Sequence, residues 1–271
     1  MKQSEVQIAI DWARQEGWNP GLHDAQCFYE ADPNGFFIET LNEEIVGVGS
    51  AVAYDEHFGF CGLYIVKEAC RHHGYGMKMT QERLKYLDDR IVGIDGVIEN
   101  ISKYKKIGYV SAHKNIRYEL VKLPSIIGHA NVIELSDISL QQLEMFDRRY
   151  FPAKRTRFLS AWINQPGSYA LGYADPFLQG YGVIRKCFKG YKIGPLFADS
   201  FDIAKKLFES LCSKIQDGPI YLDVPENNPE AIKLVQEYGM APSFKVMRMY
   251  RNGCPSFDIS GVYGITTFEL G

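Results

Sequence analysis

The chain has 271 residues, long for one domain and comfortable for two, with 46% hydrophobic and 23% charged residues and a net charge of −3. That composition excludes fibrous and disordered classes. Splitting at His129 leaves 14 basic and 18 acidic residues before it and 16 and 15 after, so neither half has the basic excess of a nucleic-acid binder. The apolar runs, such as 45–53 and 62–66, are strand-sized and far below the roughly 20 residues of a membrane helix. No membrane partner is expected, and no secretory h-region follows Met1. Six scattered cysteines without C-x-x-C or metal-ligand spacing point to a reducing cytoplasm and to no metal.

In chain order, residues 4–15 read as a helix with Val6, Ala9, Ile10 and Ala13 on one face, stopped by Gly17 and Pro20. Strands follow at 36–39, 45–54 and 60–66, the first two joined by a turn over 41–44. The apolar run Gly62-Leu-Tyr-Ile-Val66 then enters Arg71-His-His-Gly-Tyr-Gly76, an R-x-x-G-x-G pattern that opens a helix over 77–89, with Met77, Thr80, Leu84 and Leu87 at helical spacing. A glycine-punctuated turn at a helix start lets successive backbone amides face one anion, aided by the helix dipole. A Rossmann fingerprint would want glycine where Met79 stands, and a P-loop would want Gly-Lys-Ser/Thr. A strand at 91–98, a short helix ending near Ile107 and a strand over 115–121 complete a first half that closes near Pro124.

The second half repeats the order: helices over 141–150 and 154–163, strands at 168–173 and 179–187, a helix over 201–214, a strand at 220–224 and a helix from Asn228 to Gly239. The stretch 192–199 reads as a turn with one glycine, Gly194, and with Pro195 removing a donor, so no working pyrophosphate site is expected there. The tail 262–271 reads as an apolar strand, packed between the halves and walling an acceptor site with Tyr263 and Glu269.

The R-x-x-G-x-G pattern resembles the acyl-coenzyme A signature of the GNAT superfamily of N-acetyltransferases, and Tyr104-Lys-Lys-Ile-Gly-Tyr109 resembles its Y-x-x-x-G-F/Y helix end. Glu16-Gly-Trp-Asn-Pro-Gly21, Asp32-Pro-Asn-Gly-Phe-Phe37 and the tail resemble a two-domain subgroup whose second GNAT-like domain is divergent. The resemblance implies an α/β (α+β) fold of tandem domains, 1–124 and 130–271, each a mixed, mostly antiparallel sheet flanked by helices. It implies acetyl-coenzyme A as cosubstrate and direct transfer to a primary amine of a small molecule. The alternatives are a protein lysine or N-terminal acetyltransferase and a non-catalytic acyl-coenzyme A sensor. By the same resemblance the cofactor-binding residues are Tyr64, Ile65, Val66, Arg71, His72, His73, Gly74, Tyr75 and Gly76, with an oxyanion donor among the amides of Ile65 and Val66. Tyr104 is the implied general acid. For a lysine-like amine a base is needed, and Asp55, Glu56, Asp95 and Glu99 stand as candidates. The oligomeric state is open, a homodimer included.

Overall fold

The computed structural model describes residues 1–121, 129 and 131–271, so the expected closure near Pro124 lies outside the described residues. The first half runs α1 (Gln3–Gln15), α2 (Asp24–Ala31), β1 (Phe36–Leu41), β2 (Glu44–Ala53), β3 (Phe58–Val66), α3 (Tyr75–Leu87), β4 (Ile91–Val97), α4 (Ile101–Lys106) and β5 (Val110–Leu120). The second runs β6 (Val132–Glu134), α5 (Leu140–Asp147), α6 (Thr156–Ile163), β7 (Ser168–Ala174), β8 (Leu178–Lys186), β9 (Tyr191–Ala198), α7 (Phe201–Ser213), β10 (Ile220–Pro225), α8 (Pro229–Glu237), β11 (Ala241–Arg251) and β12 (Val262–Gly264). No helix among the described residues is long and apolar enough to cross a membrane.

Local chemistry accounts for the element ends that matter. Asn42 and Glu43 both take positive φ, 49° and 69°, the geometry that lets a two-residue turn follow the twist of β1 and β2. Asn228 accepts from the amides of Glu230 and Ala231 and starts α8 with Pro229 in its first turn. The stretch 192–199 is not a turn: it is most of β9, and Lys192, Gly194 and Pro195 lie inside a buried strand where their usual reading as breakers fails. The tail forms a strand only over 262–264.

Among the described residues twelve strands join in one sheet, ordered β1-β2-β3-β4-β11-β5-β10-β9-β8-β7-β6, with β12 on β9. Only β3–β4 and β9–β10 are parallel pairs, so the sheet is mixed and mostly antiparallel. The halves exchange strands. Antiparallel β11, from the second half, pairs with β4 on one side and β5 on the other, while β5 pairs with β10. Buried bidentate ion pairs fasten the exchange: Arg248 to Asp95 at 2.8 and 2.7 Å and Arg117 to Asp223 at 2.7 and 2.8 Å. Arg185 on β8 likewise donates to Asp24 on α2 at 2.9 and 3.3 Å.

The main core lies between the halves. Val6, Ala9, Ile10 and Ala13 of α1 and Phe28 of α2 meet Phe158, Leu159 and Trp162 of α6, with the Phe28 and Trp162 rings stacked at 6.1 Å. A second core fills the space between β8–β10 and helices α7 and α8. Apolar area removed from water across these contacts, at roughly 25 cal/mol per Å², is what holds the two halves together.

Candidate active site

Strands β3 and β4 pair only from Phe58–Ile91 to Cys61–Ile94, after which both continue and diverge. Their divergence opens a cleft of about 560 Å³ lined by Leu63 to Val66 on one side and Ile94 to Val97 on the other. A bulge starts the divergence: the β2–β3 register shifts between Val48 and Ser50, and Leu63 takes φ +47°, uncommon for a residue with a side chain. The Gly62 amide donates to Ser50 Oγ at 3.1 Å. From α3 the buried Arg83 donates to the Ser50 carbonyl at 2.8 Å and to the Gly62 carbonyl at 3.2 Å, which fixes the bulge.

Beyond the bulge the Lys67 amide donates to the Val46 carbonyl at 2.9 Å, and Ile65 stands opposite Val48. In an antiparallel ladder backbone groups alternate in direction, so the Ile65 amide faces β2 and the Val66 amide turns toward the opening. The Val66 carbonyl faces the same way and accepts from Arg71 Nε at 2.9 Å.

The loop after β3 leads to the start of α3 through His72 at φ 68° and Gly74 at φ 90°. Gly74 is the N-cap and offers no side-chain acceptor; the first intrahelical bond is Lys78 N–H to Gly74 C=O at 3.1 Å. The amides of Tyr75, Gly76 and Met77 therefore stand ahead of the helical ladder, an arrangement suited to an anion. A Cβ on Gly76 would lie 2.1 Å from Tyr64 Oη, so the bare α-carbon lets that phenol sit over the helix start.

Of the residues expected at the cofactor, Tyr64, Ile65, Val66, Arg71, His72 and Gly76 line the cleft. His73 and Gly74 are exposed and Tyr75 is half-buried, all on the adjoining loop. Arg71 is already engaged: besides Val66, it pairs with Glu16 of the chain after α1 at 2.9 Å. Tyr104 lines the far wall from α4. Its ring lies on Gly96, where a Cβ would come within 2.5 Å of it, and meets Tyr109 edge-on at 6.3 Å. Burial raises the Tyr104 phenol above its ordinary pKa, so it holds its proton at neutral pH.

The four candidate bases fare differently from expectation. Asp55 and Glu56 sit at the β2–β3 turn, the end of β3 opposite the cleft, and Asp55 Oδ1 accepts from the His57 and Phe58 amides at 2.8 Å each. Glu99 is exposed and outside the lining. Asp95 does line the cleft, but its carboxylate is consumed by Arg248 and by Asn115 Nδ2 at 2.9 Å. Burial pushes its pKa up while the guanidinium pulls it back.

The tail reaches the cleft as expected, through Glu269, whereas Trp18 and the β11 residues were not expected there. Trp18, Phe244 and Val246 of β11, and Phe268 and Glu269 of the tail also line the cleft. Tyr263 is not there; it is buried in the second half's core. On α3, Leu87 is buried and Thr80 and Leu84 are half-buried as expected, but Met77 is 54% exposed and the reading omitted the buried Met79 and Arg83. One signal was available, the pair Gly47 and Gly49 on one face of β2, where a Cβ would come within 2.8 Å and 2.9 Å of Met79.

The second half has the same divergence, between β9 and β10, which pair only over Tyr191–Ile193. There β12 pairs with β9, the Ile265 amide donates to the Asp223 carbonyl at 2.9 Å, and Ser200 Oγ caps α7 at the Ile203 amide. The chain's own tail fills that opening and then crosses to Gly62 at the first.

Comparison with known proteins agrees with two copies of one architecture. Residues 5–109 match the profile of the Acetyltransferase (GNAT) family, and residues 143–264 match an Acetyltransferase (GNAT) domain. The first match ends one residue before β5, the strand that leaves the first half's own order. Over 270 residues the chain is 27% identical to a holothin acyltransferase of a Pseudoalteromonas strain, covering 98% of this chain and 92% of that one. It is similar in fold to a candidate acetyltransferase from Pyrococcus horikoshii, with TM-score 0.85, 23% identity and coverage of 100% and 94%. A tandem GNAT protein from the clavulanic acid biosynthesis pathway gives TM-score 0.63 at 11% identity, covering 94% and 98%.

Proposed function

Because the chain belongs to the GNAT superfamily as a tandem-domain acyltransferase, we propose that it transfers an acetyl group from acetyl-coenzyme A to the primary amine of a small molecule. One observation carries this reading: the Val66 amide, the uncapped α3 amides and the Tyr104 phenol converge on one cleft. The cofactor's pyrophosphate would be held by the amides around Tyr75 and Gly76, with the pantetheine arm running between β3 and β4. GNAT proteins generally use acetyl-coenzyme A, and the residues present fit it.

In the reaction the acceptor nitrogen attacks the thioester carbonyl. The Val66 amide stabilises the oxyanion that forms, a contribution of a few kcal/mol for such a donor. The added nitrogen loses a proton to solvent, collapse breaks the C–S bond, Tyr104 gives its proton to the departing thiolate, and the phenolate is reprotonated from solvent. The donor thiol and the amide product leave, and no acyl group is placed on the protein. The second half supplies β11 and the tail as acceptor-side walls and keeps no cofactor of its own. All six cysteines are free, which suits a cytoplasmic location.

Replacing Tyr104 by Phe tests the assignment. Turnover is expected to fall by about 10²-fold or more while acetyl-coenzyme A affinity, read by calorimetry, stays within about twofold. An unchanged rate would reject Tyr104 as the acid.

A further inference from the structure

Six buried ionisable groups meet where the tail crosses from one half to the other: Arg117 of β5, Arg185 of β8, Lys192 of β9, Asp223 of β10, Asp24 of α2 and Glu269 of the tail. Four of them are spent on each other, Arg117 on Asp223 and Arg185 on Asp24, each through two hydrogen bonds. One cation and one anion are left over. Lys192 Nζ and both carboxylate oxygens of Glu269 are buried and have no hydrogen-bond partner among the described residues. A buried carboxylate in that condition is strongly destabilising, so its presence calls for a role outside the fold. Of the two, only Glu269 lines the cleft, and the other carboxylates of the lining are committed, Glu16 to Arg71 and Asp95 to Arg248. The Glu269 backbone is fixed: its amide and that of Leu270 donate to Thr267 Oγ1 at 3.2 and 2.9 Å, and its carbonyl oxygen lies against Gly62 of β3. No bond holds its side chain, which leaves the carboxylate free to turn to an amine in the cleft.

From this we propose that Glu269 is the base that takes the first proton from an alkylammonium acceptor, with Lys192 as the positioning residue that keeps it a carboxylate beforehand. The proposal rests on the acetyl-transfer reading above. An alkylamine with pKa near 10.4 is free base in only about one molecule per few thousand at pH 7, so the acceptor arrives as an ammonium. One N–H bond breaks and its proton goes to the Glu269 carboxylate. The freed lone pair attacks the thioester carbonyl, and the carboxyl returns its proton to water after the products leave. Tyr104 supplies the thiolate separately. Burial pushes the Glu269 carboxyl above the ordinary glutamate range, which suits a proton acceptor; Lys192 and then Arg117 pull it back, Asp24 opposes them and Arg185 adds to the pull. Burial and then Arg117 lower the Lys192 ammonium, against Asp223, Cys187 and Glu269.

The test measures thiol release from acetyl-coenzyme A with a panel of primary alkylamines and a panel of arylamines, from about pH 5 to 9. Wild-type kcat/KM for the best alkylamine is expected to stay flat within about threefold from pH 7 to 9, because carboxylate and ammonium are both in the reacting form there. In Glu269→Gln only free amine reacts, so kcat/KM falls about 10³-fold at pH 7 and climbs about tenfold per pH unit, while acetyl-coenzyme A affinity by calorimetry stays within about twofold. Lys192→Met is expected to move the acid limb of the profile upward by about one pH unit. A Glu269→Gln profile parallel to that of the wild type, a wild-type profile that itself climbs about tenfold per pH unit, or turnover of arylamines alone overturns the base assignment and leaves acetyl transfer standing. No thiol release with either panel overturns both. An unmoved acid limb in Lys192→Met overturns the positioning role.

Discussion

Adding one methyl group at Gly62 separates the tail's role in the cleft from its role in the fold. A Cβ there would lie 1.9 Å from the Glu269 carbonyl oxygen and 2.9 Å from the Glu269 α-carbon. Both are backbone atoms, so no rotamer change relieves the clash. To restore an ordinary contact near 3.4 Å the tail must retreat by about 1.5 Å, and Phe268, the neighbour of Glu269 and a wall of the cleft, moves with it. Misplacing a positioned group by about 1 Å can cost on the order of 10² in rate, equivalent to about 2.7 kcal/mol of barrier. Overpacking itself should cost about 1–3 kcal/mol of stability, which lowers the melting temperature without unfolding the protein at 25 °C. Gly62→Ala is thus expected to lose roughly 10²-fold in amine transfer while binding acetyl-coenzyme A as before, because the glycine loop and α3 are untouched. Steady-state kinetics beside calorimetry of the same preparation reads both. Wild-type kcat/KM in a folded Gly62→Ala protein would refute the claim that the tail shapes the acceptor site.

Two further outcomes follow from buried charge. Arg248→Met strands Asp95 between β4 and β11 with only Asn115 as a partner, and should cost about 3–5 kcal/mol, roughly 10 °C in melting temperature; Asp95→Asn in the same chain should recover much of it, and additive losses would deny the pair its role in the strand exchange. His113 has its pKa pushed down from 6.5 to about 4, first by burial and then by Arg248. Its unfolded form binds the extra proton between those values, so stability should rise with pH from about 4 to 6.5, by at most about 3 kcal/mol. Above that window the contribution is fully present. Chemical denaturation across the window should show this slope in the wild type and lose it in His113→Gln; an identical slope in both would contradict the assignment.

The parts of the site that were legible in the sequence are those written in consecutive residues. An apolar strand, a glycine turn and a helix start sit within fifteen positions, with Gly74 at positive φ and Gly76 leaving room for the Tyr64 phenol. Tyr104 was legible only through its motif, since a half-buried helix tyrosine is ordinarily packing. Arg83 was hidden because an arginine at helical spacing reads as a solvent-facing residue, whereas here two carbonyls freed by a bulge give its buried guanidinium acceptors. The exchange of β5 and β11 leaves no local signal at all: Arg248 meets Asp95 across 153 positions. For the same reason the part of Trp18 escaped: it meets the tail, whose place at the cleft was expected, only through Arg117 in the middle of the chain, which binds the Trp18 carbonyl and lies against the Phe268 ring. The stretch 192–199 shows the converse error: Gly194 and Pro195 read as turn punctuation, whereas both lie inside the buried strand β9.

The central claim is that one half of the molecule holds acetyl-coenzyme A and the other does not, and calorimetric titration of the full chain with acetyl-coenzyme A tests it most directly. The account predicts one site per chain, abolished in a folded Gly76→Asp variant, because a carboxylate there would face the pyrophosphate and crowd Tyr64 at the start of α3. Two sites per chain, no site, or undiminished binding in Gly76→Asp would contradict it.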